Sequence, residues 1–178
     1  MKKSNTYTVE FRRKREGNTN YRKRLKILSS NKPRLVVRKS LKNMQAAIVD
    51  YDKKGDRIIT CSHSSNLKKF GWAHNTGNMP AAYLVGFLLG KRAKNAKIDN
   101  AVLDIGLQKS VNGSRIYAVL NGVLDAGLKI PHDEKVLPKK ERIVGGHITK
   151  YATLLKKDIT DIAKKFEEVK NNIDKNGK

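Results

Sequence analysis

Two clusters of basic residues near the amino end constrain most strongly what this chain can fold into. Both lie within Val9–Leu28; the first is Arg12, Arg13, Lys14 and Arg15, and the second is Arg22, Lys23, Arg24 and Lys26. Like charges at this density repel one another, so we expect the segment to lie outside any core. It should form a mobile or loosely helical arm that becomes ordered when a polyanion neutralises it.

Aromatic residues accompany the two clusters. Tyr7 and Phe11 precede the first cluster, Tyr21 opens the second, and a polar break at Glu16–Asn20 separates them. Aromatic rings and arginine planes stack on unpaired bases, which is how RNA rather than duplex DNA is usually recognised. The pattern favours RNA binding over the alternative, a solubilising tail or a localisation signal, which needs neither the rings nor the polar break.

The overall charge extends this argument to the whole chain. The 178 residues carry a formal net charge of +23, and residues 1–43 hold 15 lysines and arginines against two glutamates. A compact protein with this charge repels itself, which predicts a permanent polyanionic partner. The hydrophobic content of 38% allows one core with extensions outside it.

Cysteine usage and the apolar runs indicate the compartment. The single cysteine, Cys61, excludes an internal disulfide framework and fits a reducing environment. The first residues lack the apolar run of a secretory signal, and the longest apolar run, Met79–Leu89, is too short to cross a bilayer. We therefore expect a soluble, intracellular protein with no membrane contact.

Alternating hydrophobic residues predict three strands after a boundary at Ser29–Pro33. These strands are Arg34–Leu41, Met44–Tyr51 and Arg57–Ser62, and they should form an antiparallel meander. In the first strand, Leu35, Val37 and Leu41 fall on one face, and Arg34, Val36, Arg38 and Ser40 fall on the other. One face would be buried and the other would carry guanidinium groups.

The next segment predicts a short helix and then a long buried one. Ser64 or Ser65 would cap the short helix, which Gly71 would end. Asn78 or Met79 would cap the long helix, which runs to about Ala96. Small residues recur every four positions in this helix, and we expect them to face the backbone of a strand; they are Ala82, Gly86 and Gly90.

A strand at Ala101–Ile105 and a helix from Ser114 to Gly127 complete the predicted core. The strand follows a helix, so it should join the sheet parallel to a neighbour. The result is an α+β fold: a mixed β-sheet with a βββαβα core, a basic N-terminal arm and a C-terminal helical extension. We assign residues 1–32 to the arm, 33–132 to the core domain, and 133–178 to a connector and C-terminal helix.

The extension contains a Gly145–Gly146 hinge and a predicted amphipathic helix from Tyr151 to Ile173. Its apolar positions alternate by four and three; they are Leu155, Ile159, Ile162, Phe166, Val169 and Ile173. We expect this helix to lie on the core or on a partner.

Catalytic and metal-binding patterns are weak. Asp50, Asp104 and Asp125 are the carboxylates from which a nuclease site could be built, but capping and surface positions explain all three. Cys61 and His63 have no second pair at zinc spacing. We therefore predict no enzyme activity, no cofactor and no metal, with an RNA-processing nuclease or a general nucleic-acid-binding protein as the alternatives.

The pattern for RNA binding is stronger and extends beyond the arm. Basic residues continue from the first strand into the turn after it; they are Arg34, Arg38, Lys39 and Lys42. Polar residues follow the third strand, and neighbouring strand ends should bring Ser62, His63 and Ser64 close to the basic group. Such a surface can follow an RNA backbone and contact 2′-hydroxyl groups and splayed bases.

Several segments together resemble one protein family. They are FRRKREGNTNYRKRL (Phe11–Leu25), KPRLVVRKSLKNMQAAIV (Lys32–Val49), HSSNLKKFGW (His63–Trp72), TGNMPAAYLVGFLLGKRA (Thr76–Ala93), AVLDIGL (Ala101–Leu107), GVLDAGLKIPH (Gly122–His132) and GGHITKYA (Gly145–Ala152). The chain resembles the large-subunit ribosomal protein family that binds 5S ribosomal RNA, in its archaeal and eukaryotic form, the large-subunit protein eighteen family.

The resemblance implies a noncatalytic protein of the central protuberance in cytoplasmic ribosomes. It would bind 5S ribosomal RNA and help attach it to the large-subunit ribosomal RNA, beside neighbouring large-subunit ribosomal proteins. The RNA-binding residues that we predict from the motifs and the basic pattern are Arg12, Arg13, Lys14, Arg15, Tyr21, Arg22, Lys23, Arg24, Lys26, Arg34, Arg38, Lys39, Lys42, Asn43, His63 and Ser64.

Overall fold

The computed structural model describes residues 6–155 and 161–177. Its strands are β1 (Arg34–Lys39), β2 (Met44–Asp50), β3 (Arg57–His63) and β4 (Val102–Asp104). Its α-helices are α1 (Arg12–Arg15), α2 (Tyr21–Leu28), α3 (Met79–Asn95), α4 (Arg115–Asp125), α5 (Lys140–Val144), α6 (Gly146–Leu154) and α7 (Ile162–Asn176). Two 3₁₀ helices span Ser64–Phe70 and Glu134–Val136.

The sheet confirms the predicted α+β fold and the predicted mixture of antiparallel and parallel strands. The four strands lie in the order β3-β2-β1-β4, with β1–β2 and β2–β3 antiparallel and β1–β4 parallel. Leu35 and Val37 of β1 point into the core and are fully buried. Arg34, Val36 and Arg38 alternate with them on the opposite side, which we call the open face of the sheet.

The first strand is shorter than predicted. β1 ends at Lys39, and Leu41, which we placed on its buried face, is 92% exposed. The reason is a tight turn: the Ser40 amide donates to the Asn43 carbonyl at 2.9 Å, and the Asn43 amide donates to Ser40 Oγ at 2.9 Å. This turn takes Leu41 out of the alternation and projects it from the tip of the hairpin.

Helix α3 is the centre of the core. Asn78 caps it by accepting a hydrogen bond from the Ala81 amide at 2.9 Å, and Pro80 lies in its first turn, as predicted. Thirteen of its 17 residues are buried, and it packs against β2, β3, α4, α5 and α7. A helix with such a wide apolar surface is stable only when it is surrounded, and here the sheet covers one side and helices cover the other.

The small residues of α3 face a helix and not the predicted strand. A Cβ atom added at Gly86 would lie 2.0 Å from the Val119 carbonyl oxygen of α4, and one at Gly122 of α4 would lie 2.2 Å from the Tyr83 carbonyl oxygen. The glycines therefore let the two helix backbones approach each other directly. The spacing of four residues predicted a close approach but could not name the partner element.

Helix α4 ends as the sequence predicted. Gly127 has a φ of +99°, its amide donates to the Leu124 carbonyl at 2.8 Å, and the Leu128 amide donates to the Val123 carbonyl at 3.3 Å. This pair of bonds is a Schellman motif, for which glycine is the favoured residue. At the other end, Ser114 occupies the cap position without a capping bond from its side chain.

The 3₁₀ helix Ser64–Phe70 is capped by a different residue from the one predicted. His63, not Ser64 or Ser65, caps it, because the His63 ring accepts a hydrogen bond from the Ser65 amide.

The C-terminal extension is not one helix from Tyr151 to Ile173. Helix α6 ends at Leu154, Leu155 is 49% exposed, and α7 begins at Ile162; Ile159 of the predicted apolar stripe lies outside the described residues. The rest of that stripe packs on the core, where Ile162, Phe166, Val169 and Ile173 are buried. Phe166 contacts the Tyr83 ring of α3, with 5.4 Å between ring centroids.

Candidate nucleic-acid interface

The arm folds as two short helices. Asn20 caps α2, because its side chain accepts a hydrogen bond from the Lys23 amide at 3.0 Å. Helix α1 is a single turn with no buried residue, held by an Arg13 Nε bond to Thr19 Oγ1 at 2.9 Å. The arm therefore contains helix, which is one of the two forms that we expected of it, while most of its side chains remain in solvent.

Most of the predicted cations of the arm are exposed. The exposed ones are Arg12, Arg13, Lys14, Arg15, Arg22, Lys23 and Lys26. Arg24 and Tyr21 are half-buried. Lys14 is paired with Glu10, and Arg12 lies 3.5 Å from Glu16, so the two acids of this region neutralise only part of the charge. Exposed cations in this number on two short helices form a surface suited to phosphate groups.

An ion pair fixes α2 over the sheet. Arg24 donates from Nη2 to both carboxylate oxygens of Asp56, at 2.8 and 2.9 Å, and Arg34 Nη2 lies 2.7 Å from the same carboxylate. Burial alone would raise the pKa of Asp56, but the hydrogen bonds and charges of Arg34 and Arg24 outweigh it and lower that pKa below its ordinary value. The carboxylate therefore stays charged and binds the arm to the core.

Further ion pairs and hydrogen bonds connect the arginines of β1 to Asp104 at the end of β4. Arg34 Nη1 donates to Asp104 Oδ2 at 3.0 Å, and Arg38 Nη1 donates to the Asp104 carbonyl at 2.8 Å. The Gly106 amide donates to Asp104 Oδ1 at 2.8 Å. Five side chains of alternating charge thus run from the arm to the sheet, and we call them the ion-pair chain: Arg24, Asp56, Arg34, Asp104 and Arg38.

Arg34 is not part of the exposed surface that the sequence predicted. Its side chain is 3% exposed and lies between two carboxylates, so no face remains for a phosphate. Its predicted contact with RNA stays a prediction, and it would require the side chain to leave one of the two carboxylates. The alternation in β1 placed Arg34 on the correct face, but its acidic partners are distant in the sequence, and no local pattern shows that they cover it. Arg38 keeps 43% of its side chain exposed on the same face.

A cleft of about 540 Å³ separates the arm from the open face of the sheet. Three cations line it with exposed side chains: Arg13 and Lys23 from the arm and Arg38 from β1. Val36 and Ile58 form apolar parts of its wall, and Ile58 is 60% exposed. The cleft thus combines positive charge with flat apolar surface, as does a surface that binds both phosphates and bases.

The far end of the sheet brings together the second predicted group. Lys39 and Lys42 are exposed at the tip of the β1–β2 hairpin. Asn43 and Ser64 instead connect elements within the structure: Ser64 Oγ donates to Asn43 Oδ1 at 3.0 Å and accepts from the Met44 amide at 3.1 Å. Ser64 is fully buried, so its contribution is to hold the hairpin in place.

The sequence pattern did not lead us to one residue of the open face, Gln45. Gln45 is exposed and pairs with Arg38 on one side and with His63 on the other, so the three residues form a row across β1, β2 and β3. The alternation in β2 places Gln45 opposite the buried Met44, which was the available signal. A row of guanidinium, amide and imidazole groups offers both donors and acceptors to an RNA strand.

A comparison with protein families decides the identity. Residues 5–100 and 94–133 match the family described as "Ribosomal large subunit proteins 60S L5, and 50S L18". The chain belongs to this family. The match spans the arm, the whole sheet and helices α3 and α4, so it includes every predicted RNA-binding residue. The resemblance at Gly145–Ala152 lies beyond the matched residues.

Membership of the 60S L5 and 50S L18 family assigns the chain to the large ribosomal subunit. It is a ribosomal, RNA-binding protein that acts in translation on cytoplasmic ribosomes, and the family points to a structural rather than a catalytic role. Within residues 6–155 and 161–177, no helix is long and apolar enough to span a bilayer.

The three carboxylates considered for a nuclease site have separate partners in this ribosomal protein. Asp104 belongs to the ion-pair chain, Asp125 accepts a hydrogen bond from Tyr83 Oη at 2.6 Å, and Asp50 accepts one from the Tyr51 amide. Burial and the Asp125 carboxylate both raise the pKa of Tyr83. Among the described residues, no group of three or more acidic, histidine or cysteine side chains could hold a metal ion.

Proposed function

We propose that this chain binds 5S ribosomal RNA and helps attach it to the large-subunit ribosomal RNA in the central protuberance. Neighbouring large-subunit ribosomal proteins would contact the same assembly. Family membership and the motifs of the arm and first hairpin support this proposal. In this proposal the core, residues 33–132, positions the arm on the RNA. The arm, residues 1–32, provides most of the affinity for the RNA.

The observation that carries the proposal is the position of the arm. The ion pair between Arg24 and Asp56 holds α2 over the open face, so cations of the arm and of β1 line one cleft. A freely mobile tail would lose conformational freedom when it bound, at a cost of about 1–2 kcal/mol for each residue ordered. An arm that is already folded avoids much of that cost and presents its charges in a defined arrangement.

The arrangement suits RNA with both paired and unpaired regions. Cations of α1 and α2 can neutralise phosphates along a strand, whereas the row of Arg38, Gln45 and His63 can reach 2′-hydroxyl groups and exposed base edges. Duplex DNA lacks the 2′-hydroxyl group and keeps its bases stacked. We therefore expect a preference for folded RNA over duplex DNA.

A salt titration of binding tests the proposal. With roughly six to ten phosphate contacts, the affinity for 5S ribosomal RNA should fall by about a thousandfold or more between about 50 and 200 mM salt. Filter binding would measure it against unrelated RNA and duplex DNA of the same length. A shallow slope, or no preference for 5S ribosomal RNA, contradicts the proposal. Equal affinity for duplex DNA would favour a general nucleic-acid-binding protein, and Mg²⁺-dependent cleavage that requires Asp104 would favour a nuclease.

A matched pair of variants locates the contacts. Arg12→Gln with Arg15→Gln removes two exposed arm charges, and Lys164→Gln with Lys175→Gln removes two exposed charges from α7. The arm variant should reduce the slope of log affinity against log salt by about two, since each lost phosphate contact removes about one. The α7 variant should leave the slope unchanged. If the two variants reduce the salt slope equally, binding depends only on the net charge of the protein and not on where the charges lie.

A further inference from the structure

An aromatic pair lies in the arm, and one of its two rings, Phe11, is mostly exposed although it carries no charge and fills no part of the core. Phe11 precedes α1 and Tyr21 begins α2, and the two ring centroids lie 5.2 Å apart with planes inclined at 46°. Phe11 is 72% exposed, whereas Tyr21 is half-buried. A phenylalanine left in water in a segment with so few apolar neighbours does not contribute to the core.

The two rings form one wall of a slot of about 920 Å³. Leu107, which follows β4 and is 52% exposed, and Val9, which is 63% exposed, add further apolar surface to the lining. Lys14 and Arg22 line the same slot, and Lys14 is paired there with Glu10. The volume lies within the range of about 300–1,000 Å³ that is typical of sites for small ligands. The slot therefore offers flat apolar surface with a net positive charge beside it.

The chemistry of this lining matches one unpaired nucleotide. A base presents a π-face that stacks on an aromatic ring, and its phosphate is neutralised by a neighbouring lysine or arginine. A base inside a duplex cannot enter, because both of its faces are already stacked on neighbours. An apolar side chain of a partner protein could fill the slot, but it carries no negative charge to pair with Arg22. The combination favours RNA over a protein partner.

We propose that the slot between Phe11, Tyr21 and Leu107 binds an unpaired base of the RNA, with its phosphate beside Arg22. This inference rests on the proposed function and specifies one contact within it. Arg22 is exposed and is within the slot lining, whereas the acid there, Glu10, is neutralised by Lys14. The slot therefore recognises a single-stranded element of the RNA, and the rest of the arm neutralises the phosphates around it.

The test compares Phe11→Leu with Leu25→Ala. Phe11→Leu keeps an apolar side chain but removes the π-face, and Leu25 is a similarly exposed residue of the arm, at 71%, that does not line the slot. Affinity for 5S ribosomal RNA should fall by about five- to a hundredfold for Phe11→Leu, the usual range for loss of one stacked base. It should be unchanged for Leu25→Ala. Phe11→Trp keeps the π-face and should retain wild-type affinity.

Two further readouts separate stacking from other effects. Stacking releases no counterions, so Phe11→Leu should lower the affinity equally at every salt concentration, with the salt slope unchanged. In 5S ribosomal RNA carrying 2-aminopurine at one unpaired position at a time, at least one position should be quenched by the wild type and not by Phe11→Leu. Circular dichroism checks that the variants keep their helices. A changed slope, or equal affinities for wild type and Phe11→Leu, would overturn the inference.

The failure of the inference can be distinguished from failure of the proposed function. If the wild type shows no preference for 5S ribosomal RNA, the proposed function is wrong. Base binding in the slot is then tested by measuring affinities for short model RNAs. A single strand and a duplex with equal numbers of phosphates serve as probes. The slot proposal expects Phe11→Leu to weaken binding of the single strand and to leave binding of the duplex unchanged. Equal effects on the two probes contradict it.

Discussion

Asp56 connects two arginines from different parts of the chain. Its carboxylate contacts Arg24 of α2 and Arg34 of β1, and its side chain is 28% exposed. A local turn, Lys53–Asp56, places it directly before β3, where the sheet brings it beside Arg34. A single acid in a strongly basic protein thus decides where the arm lies.

Replacing Asp56 with Asn should release the arm and destabilise the protein by about 1–2 kcal/mol. This range lies somewhat below the roughly 1.5–3 kcal/mol that hydrogen bonds to charged groups usually contribute, since the pair is partly screened by solvent. Urea unfolding measures the loss, and limited proteolysis should cut the arm of the variant sooner. Asp52→Asn, directly before the turn, is the control: its carboxylate accepts from the Lys54 amide. A similar loss in both variants would mean that the turn matters and the arginines do not.

The contribution of Asp56 should depend on pH in one direction. The pKa of Asp56 is lowered in the folded protein, so its stabilising effect is complete above the ordinary carboxyl value of about 3.9. It is lost as the pH falls through the lowered folded value. The difference in unfolding free energy between wild type and Asp56→Asn should therefore be constant near neutral pH and shrink below about pH 4. A difference that grows in acid would contradict the ion pair.

At the scale of elements, the helix pair α3–α4 depends on glycines at its contact. Gly86→Ala should destabilise the protein by about 1–3 kcal/mol or more, because its Cβ would lie 2.0 Å from the Val119 carbonyl oxygen. Helix propensity alone predicts the opposite sign, since alanine is favoured over glycine by about 1 kcal/mol inside a helix.

The control for this prediction is Gly146→Ala in α6. There the new methyl group would lie 3.0 Å from Glu141 Cγ and 3.2 Å from the Glu141 carbonyl oxygen, so a shift of a few tenths of an ångström accommodates it. Thermal unfolding of both variants should show a large loss for Gly86→Ala and little change for Gly146→Ala. Equal stabilities would show that α3 and α4 separate more easily than their close packing indicates.

Helix α7 belongs to the same hydrophobic core as the sheet. Phe166 is 2% exposed and contacts Tyr83, and Asn172 donates to the Phe70 carbonyl at 3.0 Å. Phe166→Ala should lower the free energy of unfolding by about 3–5 kcal/mol, the usual range for truncating a buried phenylalanine. The denaturation midpoint in urea measures it, with Lys164→Ala on the exposed side of α7 as the neutral control. A small change for Phe166→Ala would mean that α7 is only loosely docked.

Sequence reasoning succeeded where local patterns decide the structure. The strands of the meander, the Asn78 cap of α3 and the Gly127 end of α4 all follow from short-range periodicity or from a single capping residue. Sequence reasoning failed where the residue that a side chain contacts is distant in the sequence. Asp104 covers Arg34 from 70 positions away, and Gly86 meets a helix that follows the next strand. A one-dimensional pattern shows that a residue needs a neighbour and does not show which one.

At the scale of the whole molecule, the arm and the core should be separable. Deleting residues 1–28 removes the exposed cations of the arm. Among residues 6–28 no side chain is buried, and the half-buried rings and apolar side chains are those of Tyr21, Ile27 and Leu28. Asp56 keeps its contact with Arg34. The truncated chain should therefore unfold cooperatively on heating and lose most of its affinity for RNA. Calorimetry and filter binding measure the two results. A truncated chain that does not fold would show that the arm is part of the core.

The charges of this protein are also distributed unevenly around the sheet. The arm lies over the open face, whereas α7 packs against α3 on the other side and holds four lysines against three acids, close to electrical balance. In the field of a polyanion such a body experiences a torque as well as an attraction. It turns while still at a distance, so that the helical arm leads and α7 trails. Most encounters then begin in a productive orientation, and the rate of association is set before any atom of the two molecules touches.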